Sequence, residues 1–319
     1  MSSNKLFTSR PIVRYVIKKS VNKLRCPSCS DSNTTLLKTG EIHDRKYEVF
    51  RCNQCKHWFT DPTPKQEVLD NWYSIQSEIV LGGAAVEYYS DSSSLASGDH
   101  WVVKDLRNIT KGVLLEIGPG NGSLMRKMRE LGWICWGVDP GQYITDEQIV
   151  TSLKALPADI KFDVIVCQDV IEHVSNVVDY IQKVCNFAKS GSFFYFSAPY
   201  SQSLEARLLK GRWEMVKPFG HLNYFSKQSI CHILEKANLE ILNCYTLNIS
   251  AKKSVLLKRA IRQLASFPIQ FKHKDVIRHP YQEQMFHIIK NIVGTLSKGD
   301  QIYTKAKLLP KDILWDRTK

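Results

Sequence analysis

Four cysteines in two tight pairs are the first residues whose chemistry can be read from spacing. Cys26-Pro-Ser-Cys29 and Cys52-Asn-Gln-Cys55 make C-x2-C-x22-C-x2-C. A C-x2-C turn lets two thiolates converge on one centre, and two facing turns complete a tetrahedron around zinc. Tyr47–Arg51 reads as a strand leading into the second turn, the way a zinc ribbon is built. A redox C-x-x-C needs a single pair opening a helix in a thioredoxin-like unit, a setting the sequence lacks. Four thiolates fill the coordination sphere of Cys26, Cys29, Cys52 and Cys55, so the zinc expected there is structural. His43 and His57 lie close by but are not needed as ligands. Cys135, Cys167, Cys185, Cys231 and Cys244 are scattered, several within apolar runs, and read as small buried hydrophobes. Such an unpatterned remainder fits a reducing compartment, and a cytoplasmic location is expected.

A second constellation follows. Val113–Ile117 is a short apolar run, succeeded by Gly118-Pro-Gly120-Asn-Gly122. From Ser123 the pattern turns helical through Leu124, Met125, Met128 and Leu131, and Gly132 ends it. The next apolar run, Ile134–Val138, closes on Asp139, where an acid at a strand C-terminus can bind ribose hydroxyls. The combination points to an adenosine-containing cofactor. A dinucleotide loop would place a third glycine where Ser123 stands, and Glu116 would repel a pyrophosphate. The same acid suits an ammonium group, and S-adenosylmethionine carries an ammonium and no phosphate.

At this point the sequence resembles a known family. Leu115-Glu-Ile-Gly-Pro-Gly-Asn-Gly122, Gly137-Val-Asp-Pro140 and Phe162-Asp-Val-Ile-Val-Cys-Gln-Asp-Val-Ile-Glu-His-Val174 look like successive motifs of class I S-adenosylmethionine-dependent methyltransferases, over about residues 110–245. The resemblance implies an α/β, Rossmann-like sheet of order 3-2-1-4-5-7-6 with strand 7 antiparallel, beside a small N-terminal zinc ribbon. It also implies that Glu116, Gly118, Gly120 and Gly122 hold the methionine end, that Asp139 bridges the ribose and that Gln168 lies near the cofactor. Ser152 stands where the family often has an acid for the adenine amino group. Asp169 and Glu172 read equally well as residues favoured at a helix start and are given no catalytic role.

Methyl transfer from a sulfonium is an in-line displacement, so the protein must align the acceptor and take its proton. For a hydroxyl or acidic carbon this calls for a base, usually histidine. His221, in Lys217-Pro-Phe-Gly-His-Leu-Asn-Tyr-Phe-Ser226, falls in a loop after the fifth strand, above the strand C-termini. The segment resembles both ubiquinone-type O-methyltransferases and deoxysugar C-methyltransferases. In the latter a Glu-His pair acts, and here Gly220 precedes His221. His173, in a Glu-His-Val setting, is the second candidate. Cys-Gln-Asp-Val after the fourth strand is not the Asn-Pro-Pro-Tyr-like set of adenine methylation, and the Pro-Cys of cytosine methylation is absent from that region. Phe50–Pro64 with Leu69, Trp72 and Tyr73 looks like the zinc-ribbon head of methyltransferases of bacterial surface-polysaccharide and deoxysugar pathways. That resemblance implies a sugar or sugar-nucleotide acceptor, with basic residues available for its phosphates. The expected reaction is O-methylation, with His221 as base, of a sugar, nucleotide-sugar or lipid-linked glycan. An RNA methyltransferase and a non-catalytic cofactor-binding scaffold are the alternatives.

These groups must be positioned by a 319-residue chain with 43% hydrophobic residues, enough for a large α/β domain with additions. The expected layout is a basic amphipathic segment over 1–25, the ribbon over 26–62 and a linker with helix over 63–108. The cofactor domain takes 109–248, a basic helical insertion 249–299, the last strand 300–309 and a tail 310–319. Ser90–Ser97 reads as the linker that sets the ribbon apart from the cofactor domain. Residues 1–60 carry 12 basic and 4 acidic side chains and residues 250–319 carry 15 and 5, against 17 and 22 between them. Two basic ends flank an acidic middle, which suits contact with phosphates or an anionic surface. Ile12, Val13, Val16, Ile17, Val21 and Leu24 share one half of a helical wheel opposite Arg14, Lys18 and Lys19, a pattern that can lie on a membrane. Peripheral contact with the inner membrane face is therefore a further expectation. No apolar window approaches a membrane span, and the first residues lack the apolar centre of a secretory signal.

Overall fold

The computed structural model describes residues 24–42, 45–81, 100–141, 146–217, 220–247 and 299–310. Expectations for the N-terminal amphipathic segment before Leu24, the Ser90–Ser97 linker, the basic helical insertion up to residue 298 and the final nine residues lie outside them. Three antiparallel strands come first, β1 (Thr34–Ile42), β2 (Arg45–Cys52) and β3 (Trp58–Asp61), followed by helices α1 (Gln66–Leu81) and α2 (Trp101–Leu106). Strand β4 (Val113–Ile117), helix α3 (Ser123–Glu130) and strands β5 (Ile134–Val138), β6 (Ile149–Val150) and β7 (Phe162–Gln168) succeed them. Then come α4 (Val177–Cys185), β8 (Ala188–Pro199), α5 (Leu204–Leu209) and β9 (Asn223–Tyr224). Helix α6 (Lys227–Lys236) and strands β10 (Leu239–Leu247) and β11 (Gln301–Leu308) complete the described chain.

The large sheet has the order β6-β5-β4-β7-β8-β11-β10, with β11 antiparallel to both neighbours and the remaining pairs parallel. Its central strands are apolar on both faces because both faces are covered. Leu115, Ile165, Cys167, Phe194 and Phe196 belong to one core with residues of α4 and α6. Leu114, Val164, Val166 and Tyr195 alternate to the other core, with α2 and α3. Together these make a Rossmann-like α/β fold around a mixed sheet.

Two boundaries differ from the sequence pattern. Periodicity carries a helix from Val177 to Ala188 and starts the following strand at Ser192, whereas α4 stops at Cys185 and β8 begins at Ala188. Gly191 takes φ 80° inside β8, and the pairing with β7 jumps from Phe162–Ala188 to Val164–Phe193. A glycine bulge lets the strand pass through a stretch that lacks strand periodicity.

The ribbon is joined to the cofactor domain. Strand β3 pairs with β9, Trp58 opposite Tyr224, so the small sheet reads β1-β2-β3-β9. Trp58, Trp213 and Tyr224 fill the seam, the two indoles edge to face at 5.8 Å. Ser226 caps α6 in a capping box with Ser229, and its hydroxyl also donates to Cys55 O at 2.5 Å. Ser28 Oγ donates to Ser229 O at 3.1 Å and Lys236 Nζ to Ser28 O. The physical reason is satisfaction of buried polar groups: the ribbon's turns and the first turn of α6 supply each other's partners. No described helix is long and apolar enough to cross a membrane.

Because Ser226 serves a helix cap and the Cys55 carbonyl together, Ser226→Ala should cost about 1–2 kcal/mol of stability. Urea denaturation of the full chain measures this, and an unchanged midpoint would remove the cap from the account.

Candidate active site

The chain turns sharply where β4 ends. Gly118, Gly120 and Gly122 adopt φ of 68°, 52° and 69°, the left-handed region that side chains resist. Gly118 donates its N–H to Val138 O at 2.8 Å, and a Cβ on it would stand 2.5 Å from Val170 Cγ2. Glu116, the penultimate residue of β4, is buried and its Oε2 has no hydrogen-bond partner. Burial, reinforced by the nearby Asp139 charge, pushes its pKa from 4.5 up to about 8. Asp139 directly follows β5. Its Oδ2 accepts from Gly120 N–H at 3.2 Å and its Oδ1 from Gly141 N–H at 2.8 Å, and burial raises its pKa. Each of those oxygens keeps a second lone pair for a ligand hydroxyl.

Gln168 closes β7 and donates from Nε2 to His100 Nε2 at 3.2 Å. His100 precedes α2 and was not legible in sequence. Burial lowers its pKa to about 4, and the accepted bond at Nε2 places its single proton on Nδ1, which is buried without an acceptor. Ser152 lies just beyond β6, exposed, at the start of a short 3-10 turn.

S-adenosylmethionine fits this crevice by observation of the donors and acceptors. A buried carboxylate oxygen without a partner awaits a cation, Asp139 keeps lone pairs for hydroxyls, and the loop between them is backbone at Gly118, Gly120 and Gly122.

A second centre forms past Gln168. Asp169 takes φ 53° and accepts from the Gln301 side-chain amide, and Ile171–His173 make a 3-10 turn. Glu172 is buried with Oε2 unpartnered, and burial drives its pKa well up. His173 Nδ1 donates to Gly220 O, and the Tyr73 hydroxyl from α1 sits 2.6 Å from the same nitrogen. His221 Nδ1 donates to Met215 O at 2.8 Å, leaving the Nε2 lone pair available, and its ring meets that of His173 at 4.8 Å. Burial lowers His173, and burial together with His173 and Lys217 lowers His221 to about 3. Glu172, His173 and His221 present ligand atoms within 4.8 Å of one another, a donor set that can hold a divalent cation as well as exchange a proton. Sequence reasoning singled out both histidines. It read Glu172 as a helix-start residue and gave Tyr73 no place at this centre, which Tyr73 reaches only through the fold.

Cys26, Cys29, Cys52 and Cys55 gather at the ribbon tip, with sulfur atoms within 4.8 Å of one another. Cys26 and Cys55 are 3.6 Å apart and Cys29 and Cys52 3.5 Å. Sulfurs at ~2.3 Å from a tetrahedral zinc stand ~3.8 Å apart, whereas a disulfide spans ~2.05 Å. The thiols thus fit a metal cage. His57 is not part of it: wholly buried, it bonds Ser229 Oγ and Asn223 Oδ1, each at 3.3 Å.

Residues 100–243 match the family model of a methyltransferase domain, Methyltransf_23. The ubiquinone biosynthesis O-methyltransferase of Shewanella sp. (strain ANA-3) is 28% identical over 102 residues, covering 26% of this chain and 42% of that protein. The enzyme of the same name from Colwellia psychrerythraea is 27% identical over 111 residues, covering 30% and 45%. The chain spans less than half the length of these relatives. Among solved structures, an S-adenosylmethionine-dependent methyltransferase from Archaeoglobus fulgidus is similar at 16% identity and a TM-score of 0.44, covering 69% of this chain and 99% of that one. Another from Clostridium acetobutylicum gives 13% and 0.42, covering 75% and 99%. Residues 100–243, a little under half of the chain, are therefore similar to methyltransferase domains.

Since Glu116 holds its proton more tightly folded than unfolded, its contribution to stability is full below about pH 4.5 and is lost as pH climbs through about 8. Glu116→Gln has no such proton to lose. Without ligand, its melting temperature should rise relative to wild type between about pH 4.5 and pH 8, while affinity for S-adenosylhomocysteine falls at least about tenfold. Parallel melting curves across pH would contradict the assignment.

Proposed function

We propose that the protein is an S-adenosylmethionine-dependent O-methyltransferase whose acceptor is a phosphorylated small molecule, a saccharide being the class favoured by the motifs. The observation that carries the reading is the partnerless, buried Oε2 of Glu116 beside the glycine loop and Asp139. Glu116 receives the cofactor's ammonium, Asp139 its ribose hydroxyls, and Gln168 with His100 borders the crevice. When bound, S-adenosylmethionine supplies the methyl group and a good leaving group. The chain's own task is to align the acceptor hydroxyl and accept its proton.

His221 is the base in this reading. Its Nδ1–H is committed to Met215 O, which orients the ring and leaves Nε2 to face a hydroxyl proton. Burial keeps it uncharged, so the lone pair is present at any working pH. Glu172, 3.9 Å from His173 Nε2, is the group whose ionisation can balance a proton arriving on the histidine pair. The names of the relatives, O-methyltransferases, favour a hydroxyl acceptor. Gly220 in place of a glutamate before His221 weighs against C-methylation. The ribbon holds one structural zinc on Cys26, Cys29, Cys52 and Cys55.

Labelled S-adenosylmethionine incubated with nucleotide sugars, lipid-linked glycans and RNA tests the function, and label in the saccharide fraction is the expected result. Label confined to RNA would overturn the acceptor class, and label nowhere, with cofactor bound, would make the protein a scaffold. His221→Ala should keep S-adenosylhomocysteine affinity and lose at least about a hundredfold in kcat. With saturating cofactor, wild-type kcat should hold down to about pH 6, because His221 titrates near 3. A rate that falls steeply around the ordinary histidine value would assign the proton to another group. Metal analysis should find one zinc per chain, absent from Cys52→Ser; a folded, zinc-free wild type would remove the metal.

A further inference from the structure

Between the ribbon and α5 lies an open cleft of about 180 Å³, lined by Arg51, Lys56, Trp58, Gln202, Arg207 and Lys210. Four of the six are cations and none is an acid. Arg51 and Lys56 come from the ribbon, Arg207 and Lys210 from α5 and the turn after it. The side chains of Arg207 and Lys210 are exposed and make no hydrogen bond or ion pair with another described residue. Arg51 spends one guanidinium nitrogen on Asn53 Oδ1 at 3.3 Å, but its Nε is buried without an acceptor. Trp58 Nε1, in the same lining, is buried without an acceptor too. Converging cations repel one another, and unpaired buried donors are rare in folded proteins. A multivalent anion in the cleft relieves the repulsion among Arg51, Lys56, Arg207 and Lys210.

The kind of anion follows from what else the cleft offers. Its one aromatic residue, Trp58, is 2% exposed and packed against Trp213 and Tyr224, so it presents no open ring face on which a nucleobase could stack. Cations from two separate elements around a concavity fit a compact polyanion better than an extended strand. Gln202 follows the C-terminal end of β8, on the sheet edge that also carries Glu116, Asp139 and Gln168, the edge where open α/β sheets bind ligands. Trp58 lies 6.1 Å, ring to ring, from Tyr224, which lies 6.2 Å from His221.

We propose that this cleft holds the pyrophosphate group of the methyl acceptor, which is thus a diphosphate ester. The proposal rests on the methyltransferase reading and specifies its acceptor. A diphosphate can arrive on a nucleoside or on a polyprenyl chain, and the shared group is what the four cations recognise.

The test is calorimetric titration of the full chain with inorganic pyrophosphate, UDP-glucose and farnesyl diphosphate, and separately with S-adenosylhomocysteine. Pyrophosphate and at least one ester should bind. Arg207→Ala/Lys210→Ala, at two exposed positions, should weaken that binding at least about tenfold and leave S-adenosylhomocysteine affinity unchanged. Arg207→Lys/Lys210→Arg should restore most of it. Tighter binding of UDP-glucose than of farnesyl diphosphate, or the reverse, identifies the carrier. No binding of pyrophosphate at millimolar concentration, equal binding by the double alanine variant, or tighter capture of single-stranded RNA lost in that same variant would overturn the proposal. Absence of S-adenosylhomocysteine binding would instead strike the methyltransferase reading on which it rests.

Discussion

The peptide of Leu222 is held from two sides, and the site depends on that grip. Its N–H donates to Glu172 O at 2.7 Å, and its carbonyl accepts from Thr60 N–H at 2.9 Å. One bond reaches the turn that carries His173, the other the ribbon. The neighbouring carbonyl of His221 accepts from Tyr224 Oη at 2.9 Å, and Asn223 Nδ2 donates to Val174 O at 2.7 Å. Loops that carry reactive groups are ordinarily the mobile part of an α/β enzyme. Here a sheet bridge, a buried indole pair and several hydrogen bonds hold the segment, and the cluster of Cys26, Cys29, Cys52 and Cys55 stands at the other end of the same lever.

The electrostatic state of the centre follows from the same packing. Glu116 and Glu172 are both buried, each with an unpartnered oxygen, and His100, His173 and His221 are all shifted toward the neutral form. Removal from water disfavours every charge at once, so burial holds these carboxyls and imidazoles toward their neutral forms. Folded chains tolerate orphaned acceptors mainly where function uses them.

What was legible in the sequence was local. The glycine turn, the acid at the end of β5 and the paired cysteines declare themselves because each function needs particular residue types within a few positions. The strands Val113–Ile117 and Ile134–Val138 are likewise readable as short apolar runs, although Ile134 is exposed. The rest depended on long-range partners. Tyr73 meets His173 across 100 residues, and His57 meets Ser229 across 172. Nothing in the pattern around His57 says that its imidazole serves helix α6 instead of a metal. The join between β3 and β9 escaped notice because Asn223–Tyr224 is too short to show alternation. The start of β8 was misplaced because Gly191 bends the strand where periodicity would break it.

Strand β11 has a kinetic consequence. It lies between β8 and β10, yet more than fifty residues separate it in the chain from β10, its partner along Leu239–Leu308 to Leu247–Gln301. Until that distant segment arrives, the flank of β8 stays open and β10 has nothing to zip against. Closing such a long loop makes docking of β11 a late and slow event in assembly. During synthesis, a ribosome must pass residue 308 before the sheet can be completed, leaving an interval in which a chaperone or a neighbouring nascent chain finds an unguarded edge.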